Sequence, residues 1–76
     1  MSITILAFAQ ARDVVGFSSR EISCHPDETP RMVYLRIVGE AVPGHYRVAL
    51  DCEYTTWDAP VGQARELAIL PPVSGG

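Results

Sequence analysis

The stretch "LAILPPVSGG", residues 67–76, decides how the chain is organised. Leu67 to Leu70 form an apolar run that reads as a β-strand. Pro71 and Pro72 end it, because proline has no N–H to give a ladder and holds the backbone near an extended conformation. A terminal strand of this kind fits the sheet centre beside the first strand, so that the residues after it project beyond the domain. Val73 and Ser74 are slim, and Gly75-Gly76 carry no side chains, so the backbone can enter a narrow channel. Six extended residues reach about 20 Å, at about 3.3 Å each. The tail, 71–76, is therefore shaped to deliver the carboxylate of Gly76 into the active site of another protein. A carboxylate is a poor electrophile, but condensation with ATP makes it an acyl-adenylate that nucleophiles or sulfide donors can attack.

Working back along the chain, "ELAIL" is the last strand and "WDAPVGQAR" is a loop broken by Pro60 and Gly62. "YRVALDCEYTT" alternates Tyr46, Val48 and Leu50 against Arg47, Ala49 and Asp51 and reads as one strand. "AVPGHY" turns through Pro43-Gly44. The clearest helix signal is "HPDETPRMVYLRIVGE". Thr29 serves as N-cap, Pro30 suits the first helical position, and Asp27 and Glu28 favour the same terminus. Val33, Tyr34, Ile37 and Val38 recur at helical spacing on a core-facing stripe, and Gly39 is a C-cap. "SSREISC" is a short polar strand returning antiparallel to the first, and "QARDVVG" is a loop or short helical turn closed by Gly16. "SITILAFA" is the first strand, with Ile3, Ile5 and Ala7 on one face and Leu6 and Phe8 on the other. The order strand, strand, helix, strand, strand predicts an α+β fold, a mixed sheet of four to five strands with one main helix packed across it. Residues 1–76 form a single domain.

Composition narrows the function. The 76 residues are 47% hydrophobic and 20% charged, ordinary for a small globular domain with a marginal core. A net charge of −3, with six basic residues against nine acidic, argues against nucleic-acid binding through a basic face. All six basic residues are arginines: Arg12, Arg20, Arg31, Arg36, Arg47 and Arg65. No signal-peptide pattern opens the sequence, and "ITILAFA" is too short for a membrane span, so a cytoplasmic setting and no membrane partner are expected. In that setting Cys24 and Cys52 are expected to be reduced, buried and packed as small hydrophobes.

An enzyme's own chemistry has little support. His25 and His45 are turn residues without a metal-ligand set, so no metal is expected. No phosphate-binding glycine loop is present. Asp51 and Glu53, two apart on the predicted strand, share a side, and a polar edge accounts for them without acid–base work. The organised feature is the tail.

Three stretches carry a family resemblance: "ILAFAQARDVVG", "TPRMVYLRI" with "VALDCEYTTWDAPV", and above all the ending "LAILPPVSGG". Over almost its full length the chain resembles the ubiquitin-like MoaD/ThiS-type family of sulfur carriers, which includes the small subunit of molybdopterin synthase. The resemblance implies a β-grasp fold and a carrier that is not itself catalytic. An E1-like adenylyltransferase uses ATP to activate Gly76, a sulfur donor converts it to a thiocarboxylate, and no cofactor is bound. The charged carrier then docks on the large synthase subunit, in a heterotetramer, and inserts Pro71, Pro72, Val73, Ser74, Gly75 and Gly76 into its active site. There the sulfur passes to a cyclic pterin precursor in molybdenum cofactor biosynthesis, with the catalytic side chains supplied by the large subunit.

Docking requires an exposed apolar surface near the base of the tail. Phe8, Leu70 and Pro71 are the candidates, with Arg12 as a rim contact; the alternative for Phe8 is plain core. The chain departs from the family where Ala64-Arg65 replace the usual Gly-Asp before the last strand, which predicts an altered turn using Gly62. It also carries Asp51 where relatives often have Asn. Competing functions are a sulfur carrier for thiamine or another metabolite, a ubiquitin-like modifier joined to target lysines through Gly76, and an interaction domain with an inert tail.

Overall fold

In a computed structural model that describes residues 1–72, the elements are β1 (Ser2–Ala7), α1 (Gln10–Val15), β2 (Ser19–Ser23), α2 (Pro30–Val38), β3 (Arg47–Leu50), β4 (Glu53–Thr55) and β5 (Glu66–Leu70). The five strands make one mixed sheet in the order β2-β1-β5-β3-β4. The last strand occupies its centre, parallel to β1 (Ile5 beside Leu67, Ala7 beside Ile69) and antiparallel to β3 (Val48 beside Ile69).

Strand parity sorts the side chains. Ile3, Ile5, Ala7, Val48, Leu67 and Ile69 all face one side and are buried there with Val33 and Tyr34 of α2 and with Val61 and Ala64 of the long loop before β5. At about 1.5–3 kcal/mol for each large apolar side chain removed from water, this layer is the main source of stability. Helix α2 starts where the sequence indicates: Thr29 Oγ1 accepts from the Met32 N–H at 3.2 Å, Pro30 takes the first position, and Gly39 closes the helix at φ 84. Trp57 meets the ring of Tyr34 edge-on, with centroids 5.8 Å apart, and its Nε1 donates to the Tyr46 carbonyl at 2.9 Å. That pair ties the loop after β4 to the loop before β3. "QARDVVG" is a six-residue helix, α1, closed by Gly16 at φ 89.

Three expectations need correction. The single strand over "YRVALDCEYTT" is a hairpin, because Asp51 and Cys52 adopt positive φ (49 and 69) and reverse the chain between β3 and β4. Asp and Asn tolerate that conformation through short polar side chains, which is how periodicity concealed the turn. Asp51 therefore does not share a strand face with Glu53. Its Oδ1 instead accepts the Arg65 and Glu66 N–H groups at 2.9 and 3.0 Å, pinning the start of β5. Finally, Cys52 is exposed at the turn tip, whereas Cys24 is buried as expected; both are free thiols.

The altered turn before β5 uses Gly62, at φ 59, while Ala64 is buried without a positive φ. The Gly62 N–H donates to the Pro26 carbonyl at 3.0 Å and the Val61 N–H to the Glu28 carbonyl at 2.8 Å, so this loop is laid against the entry to α2.

Candidate functional site: the tail exit and the open sheet face

Because β5 is central and runs parallel to β1, its C-terminal end emerges where β1 ends and β3 begins. Leu70 pairs with Arg47 as the last rung, and Pro71 and Pro72 leave the sheet directly after it. On the β1 side the Phe8 N–H reaches the Ile69 carbonyl at 3.4 Å, carrying the parallel register one step toward Leu70. Ala9 then breaks the strand at φ 48, and α1 follows. Proline cannot continue either ladder, so the chain is launched from the middle of the sheet and not from an edge.

The proposed contact residues converge on this exit. Phe8 is 47% exposed, which sets aside the plain-core alternative. Leu70 and Pro71 are half-buried, Pro72 is exposed, and Arg12 stands exposed on α1. Leu6, Phe8, Arg12 and Ser18 line a hollow of about 380 Å³ on one side of β5. On the other, Tyr46, Arg47, Tyr54, Leu70, Pro71 and Pro72 line a groove of about 740 Å³. Val73, Ser74, Gly75 and Gly76 lie outside the described residues.

The sheet also presents a surface that the sequence reading did not assign. The side opposite α2 is covered by no element among the described residues. Register sets a row across it: Leu6 beside Ala68, Ala68 beside Ala49, and Ala49 beside Tyr54. None of the four belongs to the core cluster; Tyr54 is 73% exposed and Leu6 and Ala68 are half-buried, while Ala49 is buried between its neighbours. With Phe8 and Leu70 they form an apolar band beside the exit. Parity carried the signal, since Ala49 and Arg47 oppose the buried Val48, but the hairpin had to be recognised before Tyr54 could be placed.

His25 and His45 are both exposed, and no group of three or more metal-binding side chains exists among the described residues. The ionic features lie away from the exit. Arg31 grips Asp58 with two bonds, 2.8 and 3.1 Å, which lowers the Asp58 carboxyl below the usual range and raises the Arg31 guanidinium. Arg36 bonds Glu28 and the Ser23 carbonyl. Burial raises the Tyr34 phenol. Among the described residues, no helix is long and apolar enough to cross a membrane.

Comparison with known proteins agrees with this architecture. The ThiS family model matches residues 5–76. The molybdopterin synthase sulfur carrier subunit of Arabidopsis thaliana is 35% identical over 81 residues, an alignment spanning 100% of this chain and 84% of that protein. Among solved structures, SAMP1 from Haloferax volcanii superposes with a TM-score of 0.75 at 23% identity, covering 100% of both chains. A Pyrococcus furiosus chain named for molybdopterin converting factor, subunit 1, superposes with a TM-score of 0.74 at 21% identity, covering 96% of this chain and 99% of that one. The two superpositions speak to the ubiquitin-like β-grasp fold. With the family model matched from β1 to the last glycine, this chain belongs to the ThiS family of ubiquitin-like sulfur carriers.

Proposed function

We propose that the chain is the sulfur-carrier subunit of a molybdopterin synthase. The observation that carries this reading is the exit of β5: a central strand ends at Pro71-Pro72 between an apolar band and two arginines, with a Gly-Gly terminus following in the sequence. The full-length similarity to a plant protein of that name points to the same pathway.

The carboxylate oxygen of Gly76 attacks the α-phosphorus of ATP in the cleft of an E1-like adenylyltransferase, and pyrophosphate leaves. A hydrosulfide-level donor then attacks the acyl carbon, the acyl C–O bond breaks so that AMP leaves with the bridging oxygen, one proton is released, and a thiocarboxylate remains. Delivery to the large subunit uses the same tail: the thiocarboxylate sulfur bonds to the pterin precursor, and water then cleaves the acyl C–S bond, leaving the sulfur on the precursor and Gly76 as a carboxylate. A dithiolene holds two sulfurs, so each product consumes two charged carriers. The domain contributes no catalytic side chain to these steps. It fixes the root of the tail, presents a docking face and supplies a backbone narrow enough to enter two successive active sites.

ATP–pyrophosphate exchange with the activating enzyme tests the first step. Exchange should require this chain and vanish when Gly75-Gly76 is deleted; exchange that survives the deletion contradicts the assignment. A modifier would share the exchange but leave Gly76 amide-linked to target lysines, visible as a ladder on a denaturing gel. A carrier for thiamine would charge identically and fail to complement loss of the molybdopterin synthase small subunit.

A further inference from the structure

The open face carries its charge in bands along the strand direction. Glu21, Thr4 and Glu66 form one row, and Ser2 Oγ donates to Glu21 at 3.5 Å on the same side. Two residues further along comes the apolar row Leu6–Ala68–Ala49–Tyr54, and two further again comes Leu70 beside Arg47. Arg12, on α1, lines the same hollow as Leu6 and Phe8 and belongs to the end that holds Arg47. Among the described residues none of Glu21, Glu66, Arg12 and Arg47 forms an ion pair. Acid thus lies on one side of the apolar row and base on the other, at equal spacing.

That order is self-complementary. A twofold axis laid along the apolar row sets a second copy face to face with its strands reversed, so that each charged row meets its opposite. Leu6, Ala68, Ala49 and Tyr54 then lie on the axis against their own counterparts. Arg47 comes against the acidic row of the second copy, one strand from its Glu66, and Arg12 comes against the end that holds its Glu21. A twofold axis along the strands would instead set like charges together, so the charge order selects one arrangement of the two. The small Ala68 and Ala49 let the backbones approach, and Tyr54, 73% exposed, gives each copy an aromatic ring to stack on the other's.

We infer that the open face is an interface between two copies of this chain in solution, related by a twofold axis along Leu6–Ala68–Ala49–Tyr54. A second copy is favoured over an unlike protein because the matching surface, base then apolar then acid, is present on the chain itself. The contact is small: four residues at about 3.3 Å and four strand spacings at about 4.8 Å give about 13 Å by about 19 Å. Such a patch belongs to weak, reversible association, with a Kd of about 0.1–1 mM. A net charge of −3 on each copy adds long-range repulsion, which about 0.15 M salt screens beyond about 8 Å while sparing direct contacts. The inference does not depend on the carrier reading, but adds a consequence to it: a paired chain has its open face covered and must separate before another protein can use that face.

Sedimentation equilibrium of the full chain, from roughly 0.05 to 2 mM in about 0.15 M salt, tests this directly. The weight-average mass should rise from 8.3 kDa toward twice that value. Tyr54→Ser and Arg47→Glu, both at exposed positions, should each weaken association at least about fivefold. Arg47→Glu and Glu66→Arg mixed in equal parts should associate more strongly than either alone, since each supplies the charge the other lacks. Arg12→Glu with Glu21→Arg, both exposed, repeats the mixing at the other end of the face, and thermal melts show that every variant folds. A wild type that stays at 8.3 kDa throughout would leave the face to an unlike partner and overturn the inference. So would growth beyond a dimer, since a twofold contact closes on itself, or association that Tyr54→Ser and Arg47→Glu leave within about twofold, or mixtures no stronger than their parts. ATP–pyrophosphate exchange is read separately, so the carrier reading stands or falls on its own.

Discussion

Asp51→Ala should destabilise the domain by an amount that can be assembled from its contacts. Asp51 Oδ1 is the acceptor for two backbone N–H groups, Arg65 at 2.9 Å and Glu66 at 3.0 Å, where the loop becomes β5. The site is exposed, so water replaces the lost acceptor, and each bond is worth about 0.5–1.5 kcal/mol net, with a charged acceptor toward the upper end. The residue also sits at φ 49, where alanine pays about 1–2 kcal/mol and aspartate less. The sum is about 2–4 kcal/mol, and with about 4–8 °C per kcal/mol for a domain of this size the melting temperature should fall by about 10–30 °C. Asp51→Asn keeps an Oδ1 acceptor and tolerates the same backbone, so it should lose less than about 1 kcal/mol. Urea titrations of the three proteins, read by tryptophan fluorescence, measure both values. Equal losses in the two variants, or less than about 0.5 kcal/mol for alanine, would refute the claim that this carboxylate pins the central strand. Since β5 stays laddered to β1 as far as Ile69 and to β3 as far as Leu70, adenylation well below the melting temperature should keep its KM.

Other outcomes follow from the same geometry. Gly62→Ala should cost about 1–2 kcal/mol in denaturant titration from φ 59 alone, since a Cβ there meets nothing within 4 Å. Phe8→Ala should leave stability within about 1 kcal/mol, because Phe8 is 47% exposed, yet raise KM for adenylation several-fold if Phe8 contacts the partner. The Asp58 carboxyl is lowered by its bond to Arg31, so its contribution to stability is present above the ordinary aspartate value and is lost as pH falls through the lowered one. Asp58→Asn should flatten that part of the acid limb in melts across pH. The Tyr34 phenol is raised by burial, so its contribution is present below the ordinary tyrosine value of about 10 and is lost as pH rises through the raised one; Tyr34→Phe should blunt the alkaline limb.

Where a local rule decides the conformation, the sequence was readable residue by residue. Thr29-Pro30 and Gly39 bracket α2, Gly16 closes α1, and Pro71 ends β5, because capping and proline chemistry depend on neighbours a few positions away. The placement of β5 at the sheet centre came from combining its end position with the apolar first strand. The β3–β4 hairpin escaped because its turn residues, Asp51 and Cys52, are not the Asn-Gly or Asp-Gly pair that marks such turns, and alternation continued across them. That miss hid Tyr54 and with it the apolar row on the open face. Cys52 was misplaced for the same reason, since burial inferred from residue type fails at the tip of an unrecognised turn. Phe8 could not be assigned from pattern alone because strand parity puts it opposite the core, where exposure depends on whether anything covers that face.

The most direct test of the account is the intact mass of the protein after incubation with ATP, a sulfide-level donor and the activating enzyme. The account predicts a gain equal to replacing one oxygen by one sulfur, located on the C-terminal peptide and absent when Gly76 is removed. An unchanged mass, with an enzyme shown to be active on a known carrier, would contradict it.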